Sequence, residues 1–209
     1  MLNKGTDVNS TEAGGWTALM VAAQMGEEQC ARALIEMGAD LNLINSEGET
    51  ALMVAAAARS SKVARALVAA GASVNNADVY GWTPLMLSAQ GGQKTVLSAL
   101  LDNRAFVNQQ STDGYTALML ATKGKNYACV VKLLERGADV NCNDIYGHTA
   151  LMRAAEGGQS SIAHSLIANG ADVNAVDDHG RTALYQARSY GHADVEELLL
   201  EAGARPLYH

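Results

Sequence analysis

The hexapeptide GWTALM occupies residues 15–20. Five further copies follow: GETALM at 48–53, GWTPLM at 81–86, GYTALM at 114–119, GHTALM at 147–152 and the worn copy GRTALY at 180–185. The leading glycines, Gly15, Gly48, Gly81, Gly114, Gly147 and Gly180, stand 33 residues apart without an insertion. A fixed period of this length marks a stacked-repeat architecture. The second letter of the hexapeptide changes freely, through Trp, Glu, Trp, Tyr, His and Arg, while its neighbours hold. One demand on this stretch is therefore structural and constant, and another differs from copy to copy.

The repeats run 12–44, 45–77, 78–110, 111–143, 144–176 and 177–209, after a partial copy at 1–11, and together they form one repeat domain. The threonine of each copy, from Thr17 to Thr182, is placed to N-cap a helix. Pro84 stands one position later, where a missing N–H costs nothing. Leu19, Ala22 and Ala23 then define one helical face, and the alanines admit a close neighbour. A second helix carries Leu34 and its counterparts Leu67, Leu100, Leu133, Leu166 and Leu199. Gly38, Gly71, Gly137, Gly170 and Gly203 end it in the left-handed C′ position. Arg104 takes that place in the third copy, which predicts strain or local remodelling there. The methionines at 20, 53, 86, 119 and 152 read as core packing.

With 48% hydrophobic residues, the chain has enough apolar surface to fold. Aromatics are only 5%, so the core is aliphatic. The net charge of -7 argues against nucleic acid as a partner. Charge is uneven. Residues 12–44 hold one basic residue against five acidic ones, 45–143 nine against seven, and 144–209 four against nine. This pattern reads as a solvated surface. No apolar run reaches membrane-spanning length, and the first ten residues lack the apolar stretch of a secretory signal. The expectation is a cytoplasmic protein, with the nucleus left open. Cys30 and Cys129 share one repeat position with Val63, Val96, Ile162 and Val195, and are expected to be core hydrophobes. Cys142 is expected to be a free loop thiol.

GWTALMVAAQMG, followed by ALIEMGADLN, resembles the ankyrin repeat, and all six copies match in register. The resemblance implies an all-α solenoid of helix–turn–helix pairs with projecting β-hairpin-like loops. It covers almost the whole chain. One departure is the methionine row, with Tyr185 last, where the family usually carries a histidine that links loops. At the start, Gly5, Val8 and Asn9 align with Gly38, Leu41 and Asn42, so residues 1–11 read as the tail of a further copy. At the end, Pro206 and Leu207 replace the valine and asparagine of the other copies, so the extended stretch stops.

In the family, loop tips and first helices line a concave binding face. The resemblance therefore places the partner-binding positions at Trp16, Glu47, Glu49, Tyr80, Trp82, Asp113, Tyr115, Tyr146, His148 and Arg181, with Met25, Lys123 and Tyr190 near first-helix ends. Val79, Ile145, His179, Gln24, Gln90 and Glu156 belong to the same rows. Six of the ten aromatic residues fall on these positions, and such rings dominate interface hot spots. The sharpest expectation is a row of Tyr80, Trp82, Tyr115 and Tyr146 flanked by Lys123 and Glu156. Phe106 and Tyr127 lie elsewhere and read as structural.

The expected function is a non-enzymatic protein–protein interaction module, acting as a monomer. The alternatives are an inhibitor or immunity-type protein that blocks an enzyme or toxin, or an ankyrin segment of a longer scaffold or effector. No nucleophile elbow, zinc-protease or phosphate-loop motif occurs. No cofactor and no metal are expected. His148 and His179 read as solvent-exposed contacts, and Asp177 and Asp178 as a polar turn.

Overall fold

The computed structural model describes residues 7–206. Gly5 and Leu207, used above to align the two ends, lie outside them. The described residues form twelve α-helices and one short 3-10 helix, with no strand. They fall into two compact units, Met1–Phe106 and Val107–His209.

In the first unit the pairs are α1 (Ala18–Met25) with α2 (Glu28–Glu36), α3 (Ala51–Ala57) with α4 (Ser61–Ala69), and α5 (Pro84–Gln90) with α6 (Lys94–Asp102). First helices stack on first helices, α1 on α3 on α5, and second on second, α2 on α4 on α6. The second unit repeats this plan. Its pairs are α7 (Ala117–Lys123) with α8 (Tyr127–Glu135), α9 (Ala150–Glu156) with α10 (Ser160–Ala168), and α11 (Ala183–Ser189) with α12 (Ala193–Glu201). A helix of seven to nine residues is too short to persist alone in water, so stacking is what holds each one.

Every first helix starts as the threonine position predicts. Each threonine Oγ1 accepts the N–H three residues on, at 3.2–3.3 Å, from Met20 through Tyr185. Met20, Met53, Met86, Met119 and Met152 are fully buried, together with Leu19, Leu52, Leu85, Leu118 and Leu151. Each second helix ends on a left-handed residue at C′. Arg104 adopts φ +66° there without remodelling, and its N–H still bonds the Leu101 carbonyl. Asn75 Nδ2 donates to the Arg104 carbonyl and helps hold it.

An asparagine ladder fastens successive copies within each unit. In the first, the N–H groups of Asp40, Ser73 and Phe106 donate to the Oδ1 atoms of Asn9, Asn42 and Asn75. In the second, Asp139, Asp172 and Arg205 donate to Asn108, Asn141 and Asn174. Asn9 thus serves as the asparagine of a preceding copy, as its alignment predicts.

Three expectations fail. Cys129 is buried, but Cys30 is exposed. With no helix pair before α1 and α2 among the described residues, Cys30 lines an open apolar cavity of about 650 Å³ with Val21, Met25, Ala33 and Met37. Phe106 is 63% exposed rather than structural, because its position is the outward one held by Asp40, Ser73, Asp139 and Asp172 in other copies. Tyr127 is also exposed, since it opens α8 on the side where Glu28, Ser61, Lys94 and Ser160 meet solvent or half-buried surface.

Candidate protein-interaction surface

The loop before each first helix closes on one backbone bond across the hexapeptide. Glu12 N–H donates to the Trp16 carbonyl, and the same bond joins Asn45 to Glu49, Asp78 to Trp82, Ser111 to Tyr115, Asp144 to His148 and Asp177 to Arg181. Isolated bridges Thr11–Thr17 and Asn143–Thr149 give the loop its hairpin-like form. The leading residue also turns its side chain into the loop. Asp144 Oδ1 accepts the N–H groups of Tyr146 and His148, and Asp177 Oδ1 those of His179 and Arg181. Asp78 and Asn45 do the same in the first unit. Short Asx side chains make such turns because their oxygen reaches the backbone two residues on.

The repeat glycine is needed twice over. Gly114 sits at φ +78°, and a Cβ there would lie 2.8 Å from the Asp144 Cα. Gly147 meets Asp177 Cα at 3.0 Å in the same way. At both positions the backbone of the following loop packs against the glycine of the loop before it, and the letter after the glycine projects from a fixed platform.

Two exposure classes result. The residue before the glycine is exposed: Glu47, Tyr80, Asp113, Tyr146 and His179. The letter after it is half-buried in all six copies: Trp16, Glu49, Trp82, Tyr115, His148 and Arg181. Val79 and Ile145, one step earlier, are exposed apolar side chains, as is Ile44.

In the first unit, Trp16, Glu49 and Trp82 occupy successive loops, with Glu47 and Tyr80 at the tips. The Glu49 carboxylate accepts from Asn45 Nδ2 at 2.8 Å. Met25 is set apart, lining the open cavity beside Cys30.

In the second unit the same positions are knitted by charge. Arg153 of α9 donates to Asp144 Oδ2 at 2.9 Å and to Glu156 at 3.3 Å. Arg181 Nε donates to Asp177 Oδ2 at 2.8 Å. The His148 ring lies between the two loops, with Nδ1 3.2 Å from Asp144 and Nε2 3.5 Å from Asp177. Its side chain is 14% exposed, so His148 is wedged between carboxylates rather than presented to solvent. Burial pushes the Asp144 carboxyl up, but the His148 and Tyr146 N–H groups and Arg153 outweigh it and hold it below the ordinary value. Asp177 is pushed up by burial and held low by the Arg181 N–H and guanidinium and the His179 N–H. Lys123 Nζ stands over the Tyr115 ring, 5.5 Å from its centroid. Asp113 and Tyr146 stay exposed at the tips, and Tyr190 is exposed and stacks on His192.

The buried residues Asp144 and Asp177, and Arg153, the partner of Asp144, were missed as site residues. A signal existed. Asn45, Asp78, Ser111, Asp144 and Asp177 all stand three places before the glycine, where a short polar side chain signals a turn. Nothing in the sequence paired Asp144 with Arg153.

Among the described residues no helix is long and apolar enough to cross a membrane. The family model for ankyrin repeats matches in three copies, over residues 1–78, 70–144 and 126–208. A search of curated protein sequences found no match. Several solved structures are similar. The ankyrin repeat domain of Bcl-3, described as a unique member of the IkappaB protein family, is 33% identical, with a TM-score of 0.80 over 91% of this chain and 88% of that one. An ankyrin repeat domain from Acinetobacter baumannii is 31% identical, with a TM-score of 0.82 over 90% and 98%. The human ASB11 ankyrin repeat domain is 28% identical, with a TM-score of 0.86 over 98% and 90%. Such domains are in general protein–protein interaction modules and typically non-catalytic. By its repeat, its helix pairs and these matches, the chain belongs to the ankyrin-repeat family.

Proposed function

We propose that the protein is a non-enzymatic interaction module that binds a protein partner through the loop tips and first helices of its repeats. The observation that carries this reading is where the large exposed side chains stand. Val79, Tyr80, Ile145 and Tyr146 project at loop tips, and Ile44 is exposed just before the loop of the second copy, while the core is filled mainly by Leu, Met, Val and Ala. Rings and branched aliphatics kept in water at positions a repeat does not need for packing are suited to being covered by something else. The half-buried Trp16, Trp82 and Tyr115 beside them offer area at little entropic cost.

The test is affinity capture from lysate of the source cell with three baits. These are the wild type, Trp16→Ala/Trp82→Ala in the first unit, and Tyr115→Ala/Tyr146→Ala in the second. Circular dichroism checks that both variants keep their helices. A protein bound by wild type and lost by either variant supports the reading. A protein bound equally by all three places the interaction on another surface.

A further inference from the structure

The loop-tip row of the first unit differs from that of the second in one respect that specifies a partner. It presents exposed Ile44, Val79 and Tyr80 and half-buried Trp16 and Trp82. Every charge in the three loops that carry this row, 12–16, 45–49 and 78–82, is negative: Glu12, Glu47, Glu49 and Asp78. The first helices of this unit, Ala18–Met25, Ala51–Ala57 and Pro84–Gln90, contain no charged residue. Its described cations lie elsewhere. Arg32, Lys62, Arg65 and Lys94 are on second helices, and Arg104 follows α6. Arg59 stands in the turn beyond α3, roughly 10 Å along that helix from the loop tips. Among the described residues no Lys, Arg or His pairs with any of the four carboxylates.

The second unit supplies those cations from its own chain. Lys123 covers Tyr115, Arg153 binds Asp144, and Arg181 binds Asp177. At the Lys123 position the first unit has Gln24, Ala57 and Gln90. At the Arg153 position it has Val21, Val54 and Leu87, and at the Arg181 position Trp16, Glu49 and Trp82. The first unit thus keeps rings and carboxylates but lacks the positive groups that complete them in the second.

We propose that the first-unit row docks an extended polypeptide segment carrying Arg or Lys side chains. Guanidinium groups would stack on the Trp16 and Trp82 indoles and pair with Glu47 and Glu49, while aliphatic stems cover Ile44 and Val79. This inference rests on the proposed function, since it names the partner chemistry of part of the same surface.

Trp16 and Trp82 are the only two tryptophans in the sequence, so tryptophan emission reports on this row directly. The probe is a blocked octapeptide of alternating Arg and Gly, beside the same peptide with uncharged citrulline for Arg. Two full-chain variants are compared. Glu47→Gln/Glu49→Gln removes charge from the row, and Glu197→Gln/Glu201→Gln removes the same charge from α12. The expected result is a saturable change in emission with the Arg peptide. Affinity should fall about tenfold or more for the citrulline peptide and for Glu47→Gln/Glu49→Gln, and stay unchanged for Glu197→Gln/Glu201→Gln. No saturable binding, equal binding by Glu47→Gln/Glu49→Gln, or equal weakening by the α12 variant overturns the inference. If the Trp16→Ala/Trp82→Ala bait loses a captured protein while the Arg peptide fails to bind, this inference falls and the proposed function stands.

Discussion

The two units build the same loops from different chemistry. In the second, Asp144 and Asp177 are buried carboxylates answered by Arg153, Arg181 and the interposed His148 ring. In the first, Asn45 and Asp78 make the same turns, but no cation joins them, and Glu49 and Trp82 stand where His148 and Arg181 stand in the second. The backbone design tolerates both. The turn needs only one short side-chain oxygen, and the repeat glycine supplies the platform. What the loop does with its remaining charge is free to differ. At these positions the second unit pairs its carboxylates with its own cations, whereas the loop carboxylates of the first pair with no cation among the described residues.

The largest test of this contrast is to remove the turn residue from each side. Asp144→Ala takes the shorter of two ion pairs from the Arg153 guanidinium, leaving only Glu156, removes two bonds to backbone N–H groups, and should cost about 3 kcal/mol. Asp78→Ala removes two bonds to backbone N–H groups but strands no cation, and should cost about 1 kcal/mol. Urea unfolding of both variants measures the gap, and equal losses would erase the contrast.

Acid should act on the second unit through the same groups. The Asp144 and Asp177 carboxyls are held below their ordinary values when folded, so the unfolded chain takes up protons first as pH falls. Their contribution is fully present above the unfolded carboxylate range, near pH 4, and is lost as pH falls through the folded values. In Asp144→Asn/Asp177→Asn the acid limb of a stability–pH curve should be shallower than in wild type. An unchanged limb would mean that these bonds do not favour the ionised carboxyls.

Away from the loops the units should behave alike. The turn between paired helices puts Arg59 and Lys125 at φ +57°, where Gly26, Gly92, Gly158 and Gly191 stand in other copies. Arg59→Gly and Lys125→Gly should each stabilise by about 1 kcal/mol, by the same amount in both units. Thermal unfolding reads this, and a loss in either would show a contact made by the long side chain. The smallest effect is expected at the surface pair of the second unit. Lys123→Ala leaves the Tyr115 ring uncovered and should cost about 0.5 kcal/mol, decreasing in high salt.

The fold was nearly all legible in the sequence, because repetition averages out local ambiguity. A threonine seen six times two places before a leucine is a cap, and its six bonds follow. The failures came where a residue departs from its column or a column reaches an end. Cys30 shares a core position with Cys129, but among the described residues no helix pair precedes α1 and α2 to cover it. Phe106 is apolar in a column of outward polar residues, and the column governed its exposure. The candidate surface was legible as a set of positions and less so as a set of contacts. Periodicity says that residues 144, 148, 153, 177 and 181 come near one another. It does not say that His148 is wedged between two carboxylates or that Arg153 reaches back to Asp144, since those depend on side-chain directions that a column of letters does not carry.

The most direct measurement of the central claim uses two exposed tyrosines of one unit. Tyr146 is at a loop tip and Tyr127 opens a second helix, and both are about half exposed. A photo-crosslinking benzoylphenylalanine is placed at one or the other, and the adducts formed in source-cell extract are compared. Binding through loop tips and first helices predicts a discrete protein adduct from position 146 and none from position 127. An adduct from 127 alone would contradict the account and move the binding surface to the second helices.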